Sequence, residues 1–226
     1  MIMLKQVTTV IVNHNTAALL SICLSSLRDR YPTVPVLIID NASLRSTRLR
    51  VKKLLTNYDR LTVVLNSANV GHGPAMHQAM KMLKSKYVFT LDTDCRVVAG
   101  GFLEKMLKVF EDELLTYAVG KLFLLNKLGL HTGVEGEPYI HPYAALFDRK
   151  KYLRLAPFNH HGAPAVLNMR DAVLKGYWLE SFPIQRYVYH AWAGTRGKYG
   201  VPDWDGNASE ALPEKAKSAE KMLRRL

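Results

Sequence analysis

Two aspartates, Asp92 and Asp94, stand two residues apart directly after the apolar run 87–91. Carboxylates that close repel each other unless a cation or a proton neutralises them. A Mg²⁺ or Mn²⁺ ion held by one or two carboxylates together with substrate phosphates is the common chemical solution; the plain alternative is a solvated acidic turn. Three further polar clusters also follow apolar runs: Asn13-His14-Asn15-Thr16, Asp40-Asn41-Ala42-Ser43, and Asn66 with Asn69-Val70-Gly71-His72-Gly73. Taken singly, Thr16, Ser43 and Asn66 read as helix caps or turn formers. Four polar clusters aimed at one crevice would be a binding site.

The elements between these clusters decide whether they share a crevice. Short β-branched runs alternate with longer segments of helical period, which predicts βα units and a largely parallel sheet. Strands are expected over 7–12, 34–39, 61–65 and 87–91, all fully apolar as if covered on both faces. Helices are expected over 17–27, 45–56, 73–83 and 101–113, with spacings such as Leu20, Leu24 and Leu27 forming the inward stripe. In an open parallel sheet ligands bind beyond the carboxyl ends of the strands, and that is where every cluster falls. After about residue 117 the chain turns aromatic-rich and Gly/Pro-punctuated. A helix over 163–174, strands over 177–182 and 186–190, and a basic helix over 209–226 are expected there.

Composition sets the outer limits. The 226 residues are 48% hydrophobic and 22% charged, which excludes a disordered or collagenous chain. No apolar stretch approaches the ~20 residues that span a bilayer. The N-terminus runs straight into a strand without a separate cleavable apolar block, and Cys23 (in a helix) and Cys95 (in a loop) read as free thiols of a reducing compartment. A cytoplasmic protein is expected. Lys and Arg number 31 against 19 acids, a net charge of +12 that favours anionic partners. A dinucleotide-dependent oxidoreductase would need G-x-G-x-x-G where this chain has Asn-His-Asn-Thr. A nucleic-acid binder would gather its basic residues on one element, whereas here they scatter and concentrate only in the tail, so nucleic acid is not the expected partner.

In order and spacing, Val7–Thr16, Leu37–Ser43, Asn66–Gly73 and Phe89–Asp94 together resemble the family 2 glycosyltransferases of the GT-A fold, well over residues 5–115 and loosely beyond. The resemblance implies an α/β, Rossmann-like, mainly parallel central sheet flanked by helices, with an irregular α+β C-terminal half. It implies one domain over 1–226: a nucleotide-sugar half to about 115, an acceptor half over 116–205 and a basic helical tail over 206–226. The implied reaction moves a sugar, most often from a UDP-sugar, to an acceptor hydroxyl of a glycan or lipid-linked glycan. By the same likeness Asp40 contacts the nucleobase, Val12, Asn13 and Asn15 line the nucleoside pocket, and Asn69 and Gly71 shape the loop beside the ribose. Asp92 faces the ribose or a metal-bound water, Asp94 ligates Mn²⁺ or Mg²⁺, and His190, at the end of Tyr187-Val188-Tyr189-His190, is a third metal or diphosphate contact. Arg96 or Arg196 could add to a phosphate clamp, and residues 193–198 look like a basic loop able to close over phosphate.

One departure stands out. Inverting members carry a carboxylate base between the D-x-D motif and the late histidine, yet Phe158-Asn159-His160-His161-Gly162-Ala163-Pro164 contains no acid. His160 or His161 could serve instead, with an ordinary pKa of about 6.5; Asp171 is expected on a helix exterior. The alternative is a nucleotide-sugar-binding protein without efficient transfer. Tyr139, His141, Tyr143, Tyr177 and Trp178 supply faces that suit sugar rings but could equally be core. The tail helix could rest on the anionic inner face of a membrane, or pack on the domain or a second copy in a homodimer.

Overall fold

A computed structural model describes residues 3–126, 135–159, 163–191 and 223–224. The first half alternates as its periodicity dictates: β1 (Val7–Asn13), α1 (Ala17–Arg30), β2 (Val36–Asp40), α2 (Arg45–Asn57), β3 (Leu61–Leu65), α3 (His72–Met82), β4 (Tyr87–Leu91), β5 (Cys95–Val97) and α4 (Phe102–Asp112). The second half adds β6 (Thr116–Leu125), β7 (Glu137–Asp148), α5 (Arg149–Tyr152), α6 (Val166–Leu174), β8 (Trp178–Ser181) and β9 (Val188–His190).

Seven strands form one sheet in the order β3-β2-β1-β4-β7-β6-β8. The βα units make β3, β2, β1 and β4 parallel; β7 then runs antiparallel to both β4 and β6, and β8 runs parallel to β6. Alternate side chains feed two cores. On one face Ile11, Ile38 and Phe89 pack with Leu20 and Leu24 of α1, Val51 of α2, and Phe102 and Met106 of α4. On the other, Val10, Leu37, Ile39 and Val88 meet Ala75, Met76 and Met80 of α3 and Met169 of α6. Each fully buried aliphatic side chain contributes about 1.5–3 kcal/mol by leaving water.

Several expectations need correction. The strand expected from residue 34 begins at Val36, because Pro35 has no N–H to give to a ladder. β3 is only partly buried: it is the sheet's edge and has a neighbour on one side only. The strands expected over 177–182 and 186–190 are shorter, interrupted by a single 3₁₀ turn at Ile184–Arg186. Cys95 lies in β5 rather than a loop, and both cysteines are buried and free. Beyond residue 117 two long antiparallel strands, β6 and β7, replace the expected irregular pieces. Of the expected tail helix, all but residues 223–224 lie outside the described residues; Leu223 is buried against Leu19 and Ile22 of α1.

Candidate active site

The polar strand ends meet. At the ends of β1 and β2, which pair Asn13 with Asp40, the Asn13 amide donates to Asp40 Oδ1 at 2.7 Å. The Ser43 hydroxyl donates to the same oxygen at 2.6 Å, while Ser43 N–H donates to Asp40 Oδ2 at 3.2 Å. Arg48, reaching back from α2, brings its Nε to 3.4 Å from Oδ2 and donates to the Asn66 carbonyl at 2.6 Å. Asp40 is fully buried, and these donors are what make a buried carboxylate tolerable. Ser43 is therefore no simple turn former: its hydroxyl also accepts from Asn15 N–H at 2.8 Å. Asn15 and Ala42 take left-handed φ values of 56° and 60° to make these turns. Asn tolerates that region; Ala does so at some strain.

Asn41 is the hub of the adjoining loop. Its amide donates to Asn69 Oδ1 at 2.7 Å and to the Gly71 carbonyl at 3.1 Å, while its oxygen accepts from Val70 N–H at 3.1 Å and from the Asn66 amide at 3.2 Å. Asn69 and Gly71 are thus tied to the end of β2. Gly71, at φ 94°, supplies the turn into α3 that a side chain would resist. His14 Nδ1 donates to the Asn41 carbonyl at 2.7 Å, closing the loop after β1 onto the loop after β2.

The carboxylate pair lies one strand over, past β4. Asp94 is buried, and His190 Nε2 sits 3.2 Å from its Oδ1; His72, at the start of α3, places Nε2 3.6 Å from Asp92 Oδ1. Burial holds the Asp92 carboxyl above the usual range, with Asp94 adding to the rise and His72 and His190 opposing it. Antiparallel pairing sets Cys95 opposite His190, so ligand atoms of Asp94, Cys95 and His190 lie within 4.8 Å of one another. Two adjacent carboxylates with imidazoles beside them suit a divalent cation. Tyr143 stacks on His190 with ring centroids 4.6 Å apart and 7° between planes, fixing the imidazole. His141, on the same strand as Tyr143, is pushed down to about 3, first by burial and then by His190 and His72, so it stays neutral; its Nδ1 accepts from Tyr143 N–H at 3.3 Å.

Thr16 joins the two halves. Its hydroxyl donates to Asn13 Oδ1 at 2.9 Å and lies 3.2 Å from the Thr93 hydroxyl. It occupies the N-cap position of α1 but makes no side-chain capping bond. A continuous polar path thus runs from Asp40 through Asn13, Thr16 and Thr93 to the Asp92–Asp94 turn. Val12, Asn13, Asn15, Asp40, Asn69, Gly71, Asp92, Asp94 and His190 all fall at this end of the sheet. His160, His161, Arg196 and the 193–198 loop lie outside the described residues. Arg96 donates to the Leu223 carbonyl at 2.7 Å. Asp171 lies on α6 as expected, accepting from Ala156 N–H and Lys175 Nζ, each at 2.9 Å. A cleft of about 470 Å³ lined by Thr8, Val36, Thr62, Arg60 and Leu83 opens at the opposite, amino ends of the strands, away from this chemistry.

Sequence reasoning overlooked Arg48, Asn41, His72 and Thr93 as members of the site. His72 and Asn41 sit inside the quoted clusters and their polarity was a usable signal. Arg48 is eight residues past Asp40 on a helix, and only the packing of α2 beside β2 brings it back.

A sequence profile of glycosyl transferase family 2 matches residues 8–169. The chain belongs to this family. Comparison with curated protein sequences found no match. The solved structures similar to this family 2 member include the mannosyltransferase PcManGT from Pyrobaculum calidifontis in complex with GDP-Man and Mn²⁺, at TM-score 0.64 and 20% identity over 79% of this chain and 55% of that one. S. aureus TarS 1–349 aligns at TM-score 0.60 and 16% identity over 92% of this chain and 68% of that one. The TarS complex with UDP-GlcNAc aligns at 0.59 and 15%, over 96% and 65%. The family 2 member shares the GT-A architecture of these glycosyltransferases and spans a little over half the length of the mannosyltransferase.

Proposed function

We propose that this chain transfers a sugar from a nucleoside-diphosphate sugar, a UDP-sugar first among the candidates, to a hydroxyl of a glycan or lipid-linked glycan. The observation that carries the reading is the polar path joining Asp40, at the end of β2, to Asp94, past the end of β4, across the intervening β1: it supports a base-recognising carboxylate and a cation-holding cluster working at one end of the sheet. Uracil and guanine both present an N–H beside a carbonyl, and the Asp40–Arg48 pair offers an acceptor beside a donor. Both oxygens of Asp40 already accept hydrogen bonds, so partly exposed Arg48 is the member that yields to a base.

Asp94 and His190, with Asp92 beside them, would hold Mn²⁺ or Mg²⁺, and their buried mixture of carboxylate and imidazole fits such an ion. When bound, the ion neutralises charge on the leaving diphosphate. Asn13 and Ser43 orient the Asp40 carboxylate, Asn41 holds the Asn69–Gly71 loop against the nucleoside, and Tyr143 fixes the His190 ring. His160 or His161 is the proposed base toward the acceptor hydroxyl.

A second reading, donor binding without efficient transfer, draws on the engagement of Asp171: its carboxylate is held by Ala156 and Lys175, and residues 156–159 and 163–165 bring no other acid. Calorimetric titration with UDP and GDP, each with Mn²⁺ and with a chelator, tests the donor site. Metal-dependent binding of one nucleotide is expected; failure of both in a folded protein overturns the reading. Hydrolysis or transfer of the matching nucleotide sugar then separates enzyme from binding protein.

A further inference from the structure

Helix α2 runs against several local preferences at once. Its thirteen residues, RSTRLRVKKLLTN, contain five basic side chains and no acid. The first turn carries Arg45 rather than a carboxylate, the N-cap position is Leu44 with no side-chain capping bond, and the last turn holds no basic residue. Positive charge near a helix N-terminus opposes the macrodipole. Only Val51 and Leu54 are buried.

The opposite face is unusual in a different way. Leu49 is 55% exposed, and Leu44, just before the helix, is 68% exposed. Arg45, Leu49 and Lys53 stand at i, i+4 and i+8 on one line, with Lys52 one turn from Leu49 and Arg50 on its flank, all exposed. Arg48 is the exception, turned toward Asp40. Among the described residues none of Arg45, Arg50, Lys52 and Lys53 enters an ion pair with an acid. A single exposed leucine is ordinary. An exposed leucine framed by four outward cations, on a helix whose first turn carries Arg45 against the dipole, is not, and such local conflicts mark functional surfaces.

We propose that this face of α2 docks on an anionic lipid surface, with Leu49 entering the headgroup boundary and Arg45, Arg50, Lys52 and Lys53 meeting lipid phosphates. Charge complementarity selects this occupant, since the chain carries +12 and this helix contributes cations without one compensating acid. Leu49, exposed among these cations, favours lipid over nucleic acid, whose backbone offers it nothing. α2 begins directly after the Asp40–Ser43 turn, so docking would hold the donor-site end of the sheet close to the membrane. The proposal does not depend on sugar transfer, because vesicle binding requires neither donor nor turnover.

The test is sedimentation of the full chain with vesicles of phosphatidylcholine alone and with about one-third phosphatidylglycerol, at low and high salt. Binding only to the anionic vesicles, weakened by salt, is expected. Each basic residue near such a surface is worth roughly fivefold in partitioning, so Arg45→Glu, Lys52→Glu and Lys53→Glu together should reduce it about a hundredfold. Thermal stability should hold or rise, because the first-turn glutamate now favours the helix. Leu49→Ser, which leaves charge unchanged, should also weaken binding. Unaltered binding by the triple variant would move the contact to another basic segment, and equal binding to neutral vesicles, or binding to a single-stranded oligonucleotide in place of vesicles, would likewise overturn the proposal.

Discussion

Asp94 is buried beside His190, where an ionised carboxylate needs a cation or imidazolium to offset lost hydration. Asp94→Asn keeps the shape and removes the charge. We expect the variant to melt within a few degrees of the parent and to bind nucleotide no better with Mn²⁺ than with a chelator; undiminished metal dependence would remove Asp94 from the ligand set. His141 offers a pH test. Its folded pKa of about 3, set chiefly by burial, lies below the ordinary value of about 6.5. The unfolded chain therefore takes up a proton that the folded chain refuses, so stability is complete above pH ~6.5 and falls as pH drops toward 3. The slope from this one group is at most about 1.4 kcal/mol per pH unit. Urea titrations from pH 7 to 4 should show a shallower acid limb for His141→Gln; parallel limbs would mean that His141 protonates normally.

Elements meet at few points where backbone touches backbone, and α3 supplies one. A β-carbon on Gly73 would stand 2.4 Å from the Asn159 carbonyl oxygen. The first turn of α3, which carries His72 toward Asp92, is thus seated directly on the segment that leads to His160. Gly73→Ala must push the two apart, and overpacking of this kind costs about 1–3 kcal/mol. We expect that loss in denaturant titration together with weaker nucleotide binding; a stable variant with normal affinity would show that the contact is loose. Arg28 plays a comparable part at the far end of the sheet: nearly buried, it donates to the carbonyls of Pro32, Val34, Asp59 and Arg60, pinning the turns that enter β2 and β3.

The described residues form a seven-stranded sheet with an apolar core on each face and a two-stranded ribbon, β5 with β9, and the site lies where the ribbon meets the strand ends. Ligand that binds only the folded state stabilises it by mass action, about 2.7 kcal/mol at a hundredfold excess over Kd. For a chain of this size that is a rise of roughly 5–10 °C in melting temperature. We expect such a rise with Mn²⁺ and the correct nucleotide together, and much less with either alone. Equal shifts from metal alone would mean that the carboxylate cluster binds its ion independently of diphosphate.

The βα rhythm from β1 to α4, the polar clusters and their positions at the strand ends were legible in sequence, because parallel strands covered by helices must be apolar throughout and loops must carry the polarity. β6 and β7 were not legible: their aromatic and small residues carry no clean period two, and a register shift at Gly120 breaks what alternation there is. Likewise Thr16, Ser43 and Asn66 looked like local caps, since a cap and a long-range hydrogen bond draw on the same residue types. Only tertiary structure decided that Thr16 spans Asn13 and Thr93, that Arg48 returns to Asp40, and that Tyr143 backs His190. Apart from Thr16 to Asn13, those contacts join residues between 8 and 77 positions apart, and what sets them is how helices and strands pack, which no local spacing encodes.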